Sequence, residues 1–175
     1  MKDNNWYVIT GGPCSGKTSI LNELKKIGFK VYYEQARIYI DRELKDGKSL
    51  EQIRKNEFLF QLKVLEMKVN FENKLSPDKL LFIERGIPDT AAYLKLINKD
   101  KNIILPTPIN PPHYRKVFLL RILPYEKDYA RTESREEALL LETLLEKSYR
   151  QLHINLVKIP VMPLTKRVKY IISHL

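Results

Sequence analysis

Ile9-Thr10-Gly11-Gly12-Pro13-Cys14-Ser15-Gly16-Lys17-Thr18-Ser19 holds Gly11, Gly16, Lys17 and Thr18 at the spacing G-x-x-x-x-G-K-[ST]. The pattern carries meaning only between a strand and a helix, and both flanks qualify. Trp6-Tyr7-Val8-Ile9 reads as a short buried strand. Ser19 to Ile27 reads as a helix, with apolar residues at 20, 21, 24 and 27 and a stop at Gly28. Glycines let backbone N–H groups turn inward around phosphate oxygens, and the helix that follows presents its positive end to the same anion. Residues 11–19 (Gly11, Gly12, Pro13, Cys14, Ser15, Gly16, Lys17, Thr18 and Ser19) are therefore the expected cradle of a nucleoside triphosphate. Lys17 is placed to reach the β- and γ-phosphates, and the Thr18 hydroxyl to ligate Mg²⁺.

The chain has 175 residues, which fits a single domain spanning 1–175. With 43% hydrophobic and 30% charged residues it has the composition of an ordinary globular protein. No apolar run approaches the ~20 residues that cross a bilayer, and Met1-Lys2-Asp3-Asn4-Asn5 does not resemble a signal peptide. The single cysteine, Cys14, permits no internal disulfide, which points to a reducing, cytoplasmic home. A net charge of +10 raises nucleic acid as a partner. The basic residues are scattered among acids, however, and no basic cluster interleaved with aromatics is present, so a nucleic-acid role is not favoured.

Further along, Phe29 to Tyr33 reads as a second strand ending at Glu34, followed by a helix from Ala36 to Lys45. Ser49-Leu50-Glu51-Gln52 is a capping box that opens the longest helix, predicted to run to Leu75 with an apolar stripe interrupted at Glu57. At ~1.5 Å per residue such a helix would be about 40 Å long. Lys79 to Ile83 has no polar alternation in its centre, the mark of a strand covered on both faces. A helix over Ile87–Ile97, a proline-rich connection over 98–114 and a strand over Val117–Leu120 come next. A charged excursion from Pro124 to Glu133 leads into a second capping box, Ser134-Arg135-Glu136-Glu137, and a helix to His153. Ile154 to Ile159 makes the last strand, and Pro163 begins the terminal helix. Strands alternating with helices imply an α/β fold with a five-stranded parallel sheet joined by right-handed crossovers.

Ligands on such sheets bind beyond the carboxyl ends of the strands. The positions that qualify are the 11–18 loop, Glu34, Glu84-Arg85, Arg121 and 160–163. Glu84 stands where a carboxylate would hold Mg²⁺, and Arg85 could clamp a transferring phosphoryl group. Glu34 can take the proton of an attacking hydroxyl, or simply complement a helix dipole. The segment 124–135 reads as a lid, from which Arg131 could neutralise transition-state charge. His113, His153 and His174 show no metal-ligand spacing.

Three runs then carry a family resemblance: Ile9 to Thr18, Val31-Tyr32-Tyr33-Glu34-Gln35-Ala36-Arg37, and Glu84-Arg85-Gly86-Ile87-Pro88-Asp89. They resemble the small AAA domain family of ATP-binding phosphate-loop proteins, which is itself similar to the ribosylnicotinamide kinase domain. The resemblance continues through Arg131-Thr132-Glu133-Ser134 and Ile159 to Pro163. Usual members carry D-R-G where this chain has Glu84-Arg85-Gly86. The same positions also resemble deoxyribonucleoside kinases, in which a Glu after the second strand is the general base, E-R-S binds magnesium and phosphate, and an F-Q pair reads the acceptor base. Glu34, Glu84-Arg85 and Phe60-Gln61 stand in the corresponding places, with Gly86 for the serine.

The resemblance implies a three-layer P-loop NTPase fold of the nucleoside/nucleotide-kinase kind. It also implies ATP and Mg²⁺ as cofactors, catalytic Lys17, Glu34, Arg85 and Arg131, and an acceptor pocket that includes Gln61 and Arg37. The activity it implies is transfer of the γ-phosphate to a nucleoside-like or other small-molecule hydroxyl. An ATPase or nucleotide switch and a polynucleotide 5′-kinase are the alternatives. A GTPase is disfavoured, because D-x-x-G is missing and Asn98-Lys99-Asp100-Lys101 is one residue out of register for N-K-x-D.

Overall fold

A computed structural model describes residues 4–97, 114–123 and 134–175. In chain order the elements are Trp6–Gly11 (β1), Lys17–Lys26 (α1), Lys30–Tyr32 (β2), Gln35–Lys45 (α2), Leu50–Arg54 (α3) and Glu57–Glu72 (α4). Leu81–Glu84 (β3), Ile87–Ile97 (α5), Lys116–Leu120 (β4), Arg135–Arg150 (α6), Leu156–Ile159 (β5) and Leu164–Ile172 (α7) complete them. The strands form one parallel five-stranded sheet in the order β2-β3-β1-β4-β5. The phosphate-loop strand β1 is thus central, and the tips of β1 and β3 lie side by side.

Successive strand residues face opposite sides of a sheet, and β1 uses both. Tyr7 and Ile9 join Phe82, Phe118 and Ile159 under Ile20, Leu21 and Leu24 of α1 and Val168 and Ile171 of α7. Trp6 and Val8 join Leu81, Ile83 and Val117 on the other face, with Tyr149 of α6. Helices on both faces of a parallel sheet make the three layers expected of unbroken apolar strands.

The long helix expected from Ser49 to Leu75 is two helices. The Ser49 capping box forms, but its helix ends at Arg54. Asn56 then caps a new start, its side-chain oxygen accepting from Leu59 N at 3.0 Å. The break falls at the Glu57 interruption: Glu57 turns back to Arg54, 2.7 Å away, instead of continuing the apolar stripe. At 16 residues α4 is about 24 Å long. The second capping box, at Ser134, forms as expected and opens α6.

Candidate active site

At the loop between β1 and α1, Gly16 stands at the helix N-cap with φ 80°, in the left-handed region that glycine enters without cost. Cys14 takes φ 57°, an uncommon value for a residue with a side chain. The Lys17 ammonium, almost fully buried, donates to the carbonyls of Gly11 at 3.1 Å and Gly12 at 2.9 Å. Burial, with Arg85 nearby, lowers its pKa to about 8, against the pull of Glu34, Glu84 and Asp89. An anion in the loop would favour the charged form further and draw Lys17 off those carbonyls.

Thr18 and Glu84 meet from opposite sides of the β1–β3 junction, the Thr18 hydroxyl donating to Glu84 Oε1 at 3.0 Å. Burial and neighbouring Glu34 push the Glu84 carboxyl up from its ordinary value, while Lys17, Arg85 and the Thr18 hydroxyl pull it down. A buried carboxylate touching a hydroxyl oxygen fits a hard divalent cation. No cluster of three or more His, Cys, Asp or Glu that could hold a metal exists among the described residues. Mg²⁺ needs none, because it is bound through one or two protein oxygens together with substrate phosphates.

Arg85 follows Glu84 at φ 60°, a left-handed conformation that costs roughly 1–2 kcal/mol for such a residue. Its Nε lies 2.8 Å from Glu34 Oε1, an ion pair whose angle is not that of a hydrogen bond. Nη1 donates to Asp89 Oδ1 at 3.3 Å, and the guanidinium sits 5.1 Å from the Tyr93 ring centre. Burial opposes charge on Glu34, but Arg85, Lys17, Lys68 and Arg37 outweigh it and hold the carboxyl below its usual range. The pair is thus charged on both sides at neutral pH.

Behind Arg85 lies a polar network that the sequence does not announce. Asp89 has no exposed surface and accepts from Thr10 Oγ1 at 2.6 Å and from the Tyr149 hydroxyl. Tyr149 also receives Gly86 N at 3.2 Å. The Tyr114 hydroxyl donates to Glu72 Oε1 at 2.8 Å and accepts from Ile87 N at 2.9 Å. Lys68 donates to Gly86 O at 2.9 Å and Thr90 Oγ1 at 3.3 Å. Each of these groups finds a partner, as buried polar groups must. They also explain the departure at Gly86: a Cβ there would stand 2.5 Å from the Tyr114 hydroxyl. Sequence reasoning missed Asp89, Lys68 and Glu72 because charged residues on a helix read as its solvent side. All three face inward, and only their long-range partners reveal it.

One open cleft, with a cavity volume of about 150 Å³, joins these parts. Residues 13–19, Glu34, Glu84 and Arg85 line it together with Arg37, Phe60, Gln61 and Lys68. Gly11 and Gly12 are absent from its wall and serve through their carbonyls to Lys17. Gln61 is buried, with its amide donating to Glu57 Oε1 at 3.0 Å, and Glu57 in turn pairs with Arg54. Arg54, another lining residue, drew no attention in the sequence. Arg121 is not among the lining residues and pairs with Glu142 at 2.7 Å. Arg131 and the lid segment up to 133 lie outside the described residues.

A family model described as an AAA domain matches residues 6–167. No curated protein matches the chain in sequence. Among solved structures, deoxyadenosine kinase from M. mycoides with bound dATP is similar, with a TM-score of 0.65 at 15% identity over 97% of this chain and 98% of that one. Thymidylate kinase from Ehrlichia chaffeensis is similar too, with a TM-score of 0.57 at 14% identity over 99% of this chain and 98% of that one. At such identities the likeness is one of fold.

Proposed function

The chain belongs to the AAA domain family of phosphate-loop proteins, and from that premise we propose that it is an ATP-dependent phosphotransferase acting on a nucleoside-like or other small-molecule hydroxyl. One observation carries the reading: a single cleft is lined by the phosphate loop, by Glu34 and Arg85, which pair with each other, and by Phe60, Gln61 and Arg37. Phe60, Gln61 and Arg37 in the same cleft serve as the acceptor side in this reading, which an ATPase would not require.

In this reading the loop amides and Lys17 hold the triphosphate, and Thr18 and Glu84 hold Mg²⁺. The metal would neutralise charge developing on the β- and γ-phosphate oxygens. The acceptor oxygen attacks γ-phosphorus, the bond to the β–γ bridging oxygen breaks, ADP leaves and the hydroxyl proton passes to Glu34. A carboxylate held below its usual range is a weak base. That suffices here, because the loose transition state of phosphoryl transfer asks for proton removal only late. Arg85, paired with both Glu34 and Asp89, is the proposed clamp on the transferring group. Arg131 remains the proposed source of further positive charge. Gln61 and Arg37 are the proposed acceptor contacts, and the two named kinases of similar fold make a nucleoside or nucleotide the first acceptor class to try.

The direct test is incubation with ATP, Mg²⁺ and a panel of nucleosides, nicotinamide riboside included. A phosphorylated product supports the reading, and ATP hydrolysis without any product sinks it. With an acceptor in hand, Glu34→Gln should lower kcat by roughly 10²–10⁴-fold at nearly unchanged ATP affinity. Equal losses in both would make Glu34 a structural residue.

A further inference from the structure

In a trans peptide the carbonyl oxygen and the following N–H point in opposite directions. A loop that surrounds an anion with its amides must therefore keep the preceding carbonyls turned outward. Two consecutive carbonyls of this loop are held from outside. Leu123 N, just beyond β4, donates to Cys14 O at 3.0 Å, and Arg167 Nη1 on α7 donates to Ser15 O at 2.8 Å. Peptide geometry then turns the N–H groups of Ser15 and Gly16 away from these partners, toward the inside of the loop. Arg167 Nη2 also donates to Arg121 O at 3.2 Å, so one guanidinium ties the loop to the segment that carries Leu123.

Arg167 is an unusual residue for a merely structural task. It is 2% exposed, the largest fully buried side chain among those described, and its Nε has no hydrogen-bond partner among the described residues. Burial alone lowers its pKa, with no carboxylate acting to raise it. A Cβ on Gly16 would stand 3.1 Å from Nη1, which puts the guanidinium directly behind the first turn of α1. Among the described residues no anion pairs with this buried cation, a costly arrangement that an anion on the far side of the loop would offset.

We propose that Arg167 is a positioning residue for the triphosphate: it locks the Ser15–Gly16 peptide in its anion-binding orientation and sets a positive charge behind the loop. This rests on the reading of the loop as a triphosphate site.

The test compares the intact protein with Arg167→Lys and Arg167→Met. Calorimetric affinities are measured for ATP, inorganic tripolyphosphate and adenosine, with melting temperatures alongside. The Met variant should bind ATP and tripolyphosphate roughly tenfold to a hundredfold more weakly, the worth of one charge-assisted hydrogen bond. Adenosine affinity should be unchanged, and Lys, which keeps the charge but not the fork, should recover part of the loss. Unchanged ATP and tripolyphosphate affinities in Arg167→Lys and Arg167→Met, or an equal loss for adenosine, would overturn the proposal while the nucleotide reading stands. Failure of the wild-type protein to bind either polyphosphate would instead remove the nucleotide reading and this inference with it.

Discussion

In the phosphate loop Lys17 reaches carbonyls six and five residues back, whereas at the tip of β3 Asp89 is held by Thr10 and Tyr149, 79 and 60 residues away. The first site is made of backbone groups whose direction depends on a few glycines and a helix start. The second is made of side chains that only the assembled sheet and the packing of α5 and α6 against it bring together. A site of the first kind is written as a contiguous motif. A site of the second kind leaves scattered polar residues that look unremarkable one by one. The two meet at Arg85, whose guanidinium touches Glu34 on the cleft side and Asp89 on the buried side.

Breaking the loop should have the largest effect. Lys17→Ala should lower phosphotransfer by roughly 10³-fold or more and abolish measurable ATP binding. Wild-type ATP affinity in that variant would mean that the triphosphate lies elsewhere. Breaking the distributed side should act differently. Asp89→Asn keeps the shape but removes the charge facing Arg85, and kcat should fall by about 10²-fold, the cost of misplacing a group by around an ångström. Nucleotide affinity should barely change, so a loss carried entirely by the KM for ATP would show that Asp89 serves the loop instead.

The next test sharpens the contrast through pH. Burial raises Glu72 to about 7 from 4.5, against the Tyr114 hydrogen bond and the charge of Lys68. Between those values the folded chain holds a proton that the unfolded chain has released. The contribution of this group is thus full below about pH 4.5 and is lost as pH rises through about 7. Denaturant titrations should show this as a decline of roughly 3 kcal/mol, and Glu72→Gln should flatten it. An identical slope in the variant would place the titration on another group. The smallest effect is steric. Gly86→Ala should cost about 1–2 kcal/mol by forcing a Cβ against Tyr114, and the same substitution should cost less in a Tyr114→Phe background. Wild-type stability in Gly86→Ala alone would show that the tyrosine moves aside freely.

Much of the fold was legible because strands covered on both faces announce themselves. Leu81-Phe82-Ile83 and Val117 to Leu120 read as buried strands and are buried. Both capping boxes form, since a cap is a contact between neighbours three residues apart. The helix predicted across 49–75 was less legible. Its apolar rows run past residue 56 on paper, yet a local competitor, the Asn56 cap with the Arg54–Glu57 pair, ends one helix and begins another. The burial of Lys68 and Glu72 was hidden for a related reason: a helical pattern reports which residues are apolar, not which polar ones will find partners inside.

By itself, then, the sequence determined the phosphate loop, the order of strands and helices, and the strand-tip positions from which Glu34, Glu84 and Arg85 reach inward. Those features depend on backbone conformation and on periodicity, which neighbouring residues settle among themselves. Only the tertiary structure decided that Glu34 pairs with Arg85, that Asp89 and Tyr149 stand behind it, and that Arg167 of the last helix holds the loop from outside. Such contacts join groups up to 152 residues apart, and a buried charge can be told from a solvated one only when its partners, or their absence, are in place.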